Sequence, residues 1–184
     1  MKINLEKLIR DEFAGMKTAV CANLPYYITS PVIMLLLESG IPVEAITVMV
    51  QKEAAQRLCA KVGTRQAGAV TAAVQFYGKA ELLFEVSRGS FMPSPNVDSA
   101  VIRIKPDKYY RSMVDDKDLF FKVVRGAFSQ RRKTMVNSLS SVLGVPKSLL
   151  SECLEFCGIE KNIRAEQLSM EELILFANRL KNVI

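Results

Sequence analysis

The sequence predicts an α/β domain followed by a small all-helical one. Three observations carry that prediction. Up to residue 105 strand-like and helix-like patterns alternate, the arrangement of an α/β domain with a mainly parallel sheet. The last two strand patterns, Ala80 to Val86 and Ser99 to Lys105, flank the loop GSFMPSPN, which suggests an antiparallel pair at the sheet edge. Beyond Pro106-Asp107 only helical periodicity remains.

The elements follow in order. Leu5 to Phe13 reads as a short helix, and Thr18 to Ala22 as a short buried strand ending at Asn23. Pro31 opens a helix over Val32 to Ser39, with Gly40 as its stop. Ala45 to Val50 is a strand, and Lys52 to Ala60 a helix with Glu53 and Arg57 one turn apart. Ala67 to Tyr77 is apolar and rich in small residues, and fits a helix or a buried strand equally. Helices are expected over Leu119 to Phe128, Thr134 to Val142, Lys147 to Phe156 and Ser169 to Lys181. The last opens on Ser169-Met170-Glu171-Glu172, the pattern of a reciprocal cap. The expected domains are 1–107 and 108–184.

Composition narrows the function. The chain has 184 residues, 49% hydrophobic and 24% charged, as in ordinary globular proteins. Its longest apolar run, Val32 to Leu37, is far short of the roughly 18 to 20 residues of a membrane span, and its start is not a secretory signal. A cytoplasmic protein is the default. There is no histidine, so the commonest general base and zinc ligand are both missing. Cys21, Cys59, Cys153 and Cys157 show no paired zinc spacing and are expected to be buried and reduced; no metal site is expected. The net charge is +6. Residues 1–107 hold 12 Lys/Arg against 10 Asp/Glu, net +2, and residues 108–184 hold 13 against 9, net +4. Such an excess is compatible with nucleic acid but does not require it.

CANLPYYITSP, residues 21–31, carries the most chemistry. The exocyclic amine of a base is a poor nucleophile because its lone pair is delocalised into the ring. A site that alkylates it needs acceptors for the two amino hydrogens. Asn23 offers a side-chain carbonyl, the Leu24 backbone offers a second, Pro25 stiffens the turn, and Tyr26 offers a stacking face. The plainer account is a strand end followed by a turn, which Asn and Pro favour for backbone reasons. Arg131, Arg132 and Lys133 form the densest basic run, with Lys122 and Arg125 upstream. They fit either a solvated helix end or a phosphate-contacting patch.

Asn-Leu-Pro-Tyr followed by Tyr-Ile-Thr-Ser-Pro resembles motif IV of the ribosomal RNA adenine N6,N6-dimethyltransferases. VMVQKEAAQRL (48–58), FMPSPNVDSAVIRI (91–104), VVRGAFSQRRKTMVNSL (123–139) and RAEQLSMEEL (164–173) resemble further segments of that family in order, most nearly its bacterial small-subunit members. The resemblance implies that residues 1–107 are the C-terminal part of a Rossmann-like S-adenosylmethionine-dependent methyltransferase domain, and 108–184 a helical RNA-binding domain. It implies dimethylation of N6 on two adjacent adenosines of 16S ribosomal RNA, acting on a precursor of the small subunit, with the chain expected to be a monomer. Asn23, Leu24, Pro25, Tyr26 and Phe91 would form the target-base site, Asn23 would also lie beside S-adenosylmethionine, and Lys122, Arg125, Arg131, Arg132 and Lys133 would meet RNA.

The sequence departs from the family at Asn96, where a basic residue is frequent, and at Ala67, where an aromatic is. It has no glycine-rich strand-to-helix turn. The chain is therefore expected to be an N-terminally truncated fragment that lacks the half holding most of the cofactor and is inactive alone. Two other functions fit: a large-subunit 23S methyltransferase of the macrolide-resistance type, and a non-catalytic RNA-binding module in ribosome assembly. A fragment without activity is the plainest account of all.

Overall fold

In a computed structural model, residues 4–184 are described, and the chain divides into two compact units. The first comprises Met1–Cys59 and Tyr77–Lys108, the second Ala60–Phe76 and Tyr109–Ile184. These units do not coincide with the stretches 1–107 and 108–184, because residues 60–76 group with the helical residues.

The first unit is built on four strands: β1 (Ala19–Asn23), β2 (Ala45–Gln51), β3 (Gly78–Val86) and β4 (Ser99–Pro106). Their order is β1-β2-β4-β3. β1 and β2 are parallel, whereas β4 is antiparallel to both β2 and β3. The sheet is thus mixed rather than mainly parallel among the described residues. β3 and β4 form the expected antiparallel pair at one edge, with β3 outermost and β4 next to β2.

Its core follows from alternation. Ile46, Val48 and Val50 of β2 are buried on one face and stand opposite Ile104, Ile102 and Ala100 of β4, also buried. Each fully buried aliphatic side chain of this kind contributes about 1.5–3 kcal/mol. The helices α1 (Leu5–Glu12), α2 (Thr29–Glu38) and α3 (Lys52–Cys59) complete the unit. α2 buries Ile33, Leu36 and Leu37, and α3 buries Ala55 and Leu58. α2 starts two residues before Pro31, which its first turn tolerates because N–H groups there have no helical partner.

The expectation of a buried first strand fails. β1 alternates exposed and half-buried residues, and among the described residues it pairs with β2 alone. β3 is the other edge. It carries Lys79, Glu81 and Glu85 and a register irregularity between Leu82 and Phe84, features that discourage further strand pairing. Glu81 accepts a hydrogen bond from Arg103 at 2.8 Å, which holds its carboxyl below the usual range.

The second unit contains α4 (Ala69–Tyr77) up to Phe76, then α5 (Lys117–Ala127), α6 (Met135–Leu143), α7 (Lys147–Phe156) and α8 (Met170–Lys181). The ambiguous apolar segment is a helix. Phe76 stacks on Phe120 at 5.2 Å and meets Phe121 edge-on at 5.0 Å, which explains why 60–76 belongs with α5. Asp116 caps α5 and Thr134 caps α6. Ser169 and Glu172 form the reciprocal cap on α8. Gly144 ends α6 at φ 68°, a conformation that glycine adopts without cost. Among the described residues no helix is long and apolar enough to cross a membrane.

Candidate nucleic-acid site

Asn23 is the last residue of β1, paired with Met49, and is exposed. Leu24 is buried and its N–H donates to the Met49 carbonyl at 3.3 Å, so the chain stays anchored to β2 for one residue past the strand. Pro25, at φ −56°, then turns it into a short 3-10 segment, Tyr26–Ile28, which leads into α2. The Pro25 carbonyl accepts from the Ile28 N–H and weakly from the Thr29 hydroxyl. Among the described residues no group donates to the Leu24 carbonyl. Asn23 Oδ1 and the Leu24 oxygen are therefore acceptors on consecutive residues at the carboxyl end of a strand, where open α/β sheets receive ligands.

Tyr26 is half-buried, and its hydroxyl lies 2.7 Å from that of Ser99. Ser99 is fully buried at the start of β4, directly opposite Gln51 of β2. This bond fixes the tilt of the Tyr26 ring. No local pattern announces it, because the partners lie 73 residues apart. Ser99→Ala should leave the Tyr26 hydroxyl short of its partner and lower the stability of the chain by about 1 kcal/mol. Urea unfolding compared with Tyr26→Phe and the double variant measures the coupling; additive losses would mean that the bond contributes nothing.

Phe91 is half-buried and follows a 3-10 turn, Arg88–Ser90, in extended backbone. The loop behind it is folded on itself. Asp98 accepts the Arg88 N–H at 2.9 Å, Ser94 donates to the Arg88 carbonyl at 2.9 Å, and the Met92-Pro93 peptide is cis. Asp98 thus caps the loop.

The basic residues occupy the second unit. Lys122 and Arg125 are exposed on α5, one turn apart. Arg131, Arg132 and Lys133 are exposed in the turn between α5 and α6, ahead of the Thr134 cap, and are not a helix end. Arg131 donates to the Arg65 carbonyl at 2.7 Å. Cations gathered before a helix N-terminus oppose the helix dipole, and an anion relieves both.

The cysteines do not follow the expected burial. Cys153 is buried, Cys59 and Cys157 are half-buried, and Cys21 is exposed because it lies on the outward face of the edge strand β1; all four are free. Burial, reinforced by the Glu81 carboxylate, pushes the Cys59 thiol up to about 11, so it is no nucleophile at neutral pH. Among the described residues no group of His, Cys, Asp and Glu could hold a metal ion.

A family model described as "Ribosomal RNA adenine dimethylase" matches residues 1–182. The Ribosomal RNA small subunit methyltransferase A of Alkaliphilus oremlandii is 44% identical over 181 residues, covering 98% of this chain and 63% of its own length. The protein of the same name from Geobacillus thermodenitrificans is 44% identical over 184 residues, with the same two coverages. The chain thus spans about 63% of the length of these curated relatives. Among solved structures, a dimethyladenosine transferase from Plasmodium falciparum superposes with a TM-score of 0.73 at 27% identity, over 86% of this chain and 64% of that one. The 23S rRNA methyltransferase ErmE does so with a TM-score of 0.63 at 20% identity, over 98% and 79%, which is a likeness of fold.

Proposed function

The chain belongs to the ribosomal RNA adenine dimethylase family, and on that premise we propose that it is the target-base and RNA-facing portion of an enzyme that dimethylates N6 of two adjacent adenosines in 16S ribosomal RNA. The small-subunit reading follows the names of the curated relatives. The 23S alternative has in its favour only a shared fold. The reading places the protein in the bacterial cytoplasm, acting as a monomer on a small-subunit precursor.

The observation that carries it is the exposed Asn23, beside a free Leu24 carbonyl and a Tyr26 ring tied to Ser99. In this reading the adenine stacks on Tyr26, with Phe91 as the opposite wall. Its two amino hydrogens go to Asn23 Oδ1 and the Leu24 oxygen. Both bonds draw the nitrogen toward tetrahedral geometry and free its lone pair. The work is orientation and desolvation rather than proton abstraction before attack, which suits a chain without histidine.

S-adenosylmethionine supplies the methyl group in this family. The described residues fit only one side of it. Asn23 can lie against it, but the connections that follow β1 and β2, through Leu24-Pro25 and directly into Lys52, contain no glycine to let backbone approach a nucleotide-like group. The 184-residue chain is therefore expected to show no micromolar binding in isothermal titration with S-adenosylmethionine. A clear micromolar isotherm would refute this.

RNA contact is assigned to Lys122, Arg125, Arg131, Arg132 and Lys133, which leave only the flipped base to the pocket. Replacing Arg131, Arg132 and Lys133 with alanine should weaken binding to ribosomal RNA and reduce the slope of log affinity against log salt by roughly 2. An unchanged slope would remove these three residues from the interface.

A further inference from the structure

A polar cavity of about 510 Å3 opens beside the β2–β4 end of the sheet. Its position is fixed by elements already described. Gln51 closes β2 opposite Ser99, the residue that holds Tyr26, and the Lys52 N–H donates to the Asp98 carbonyl at 3.0 Å. Gln51, Lys52 and Asp98 all line the cavity. Asn23 pairs with Met49, two residues before Gln51. With strands ~4.8 Å apart and a rise of ~3.3 Å per residue, the Asn23 and Gln51 backbones are roughly 8 Å apart. The cavity is thus the immediate neighbour of the target-base site.

Its lining selects the ligand. Three amides, Gln51, Gln56 and Asn96, present both donors and acceptors. The two cations, Lys52 and Arg88, are matched by the two carboxylates, Glu53 and Asp98. Lys52 is further engaged by Glu85 at 2.6 Å, and the Arg88 guanidinium reaches the Asn96 carbonyl at 3.4 Å. A phosphate would meet a lining with no net positive charge. A nucleobase, neutral and edged with donors and acceptors, meets amides that can pair with it and carboxylates that accept from an amino group. The volume lies within the range of small-molecule sites, and the wall made by residues 88–98 is held by its own hydrogen bonds.

We propose that this cavity is a second base subsite, which receives the hydrogen-bonding edge of the nucleobase next to the target adenine on the same RNA strand. The proposal rests on the assignment of Asn23–Tyr26 to the target adenine. It gives the protein a way to read the nucleotide flanking its target, in addition to holding the phosphate backbone.

The test uses the 184-residue chain and short fluorescein-labelled RNA oligonucleotides carrying one adenosine, read by anisotropy. The base beside the adenosine is varied among the four and replaced by an abasic residue. Wild type should prefer one neighbouring base by about tenfold and lose the same factor with the abasic neighbour. Gln56→Ala and Asn96→Ala, both at exposed positions, should erase this preference while leaving the salt slope unchanged. Affinities independent of the neighbouring base, or a preference that survives both variants, would overturn the subsite. Replacing the adenosine itself reports on the underlying assignment. If that discrimination is absent while the neighbour is still read, the assignment of Asn23–Tyr26 fails and the cavity is a base site of its own.

Discussion

Asn23→Ala is expected to lower methyl transfer to 16S ribosomal RNA by about 100- to 1,000-fold. The measurement requires a protein that holds the donor, obtained by completing this chain with the portion of the Alkaliphilus oremlandii relative that it does not match. The magnitude is that of removing one preorganised hydrogen-bond partner from a reacting centre. Asn23 is exposed at the end of an edge strand, so its truncation creates no cavity and should not unfold the protein. RNA affinity, carried mainly by backbone contacts, should change little, so the loss should appear in turnover. Asn23→Asp keeps an acceptor oxygen in place and should retain more activity than alanine. Unchanged methylation by Asn23→Ala would favour a non-catalytic role in ribosome assembly instead.

What could be seen in the sequence was local. The cap of α8 and the strand end at Asn23 each depend on a few consecutive residues, and their types announce them. What escaped depended on partners far along the chain. TAVCA reads as a buried strand because its residues are apolar, yet burial depends on what packs around it, and among the described residues β1 has one strand neighbour. Phe76 could not be seen to join a helix beginning at Lys117, so 60–76 was expected in the first domain. Ser99 is a similar case: its place at the start of β4 was legible, but its bond to Tyr26 was not. The basic run at 131–133 was visible as charge, while its place in a turn ahead of α6 was decided by the Thr134 cap.

Gly78→Ala should be among the most damaging single-methyl additions to the first unit, costing ~3 kcal/mol. Gly78 opens β3 opposite Pro106, and a Cβ built there would collide with the Lys105 carbonyl oxygen and lie 2.9 Å from the Pro106 Cα. These are backbone atoms, which cannot swing aside as a side-chain end could. Fraying the strand end is the obvious relief, and the structure opposes it. Tyr77 is buried, and its carbonyl accepts the Asp107 N–H at 3.0 Å, so both chains are held together on the far side of the clash. The remaining response is to move β3 away from β4. That shift would loosen Arg103–Glu81 and Lys52–Glu85, although these half-exposed pairs contribute little by themselves. Gly89→Ala provides the control, since the added Cβ would meet only the Ser87 hydroxyl oxygen, at an ordinary 3.7 Å. Urea unfolding should show a large fall in midpoint for Gly78→Ala and almost none for Gly89→Ala. Equal midpoints would mean that β3 yields freely at its first residue and that its pairing with β4 is set further along, beyond the irregularity at Leu82.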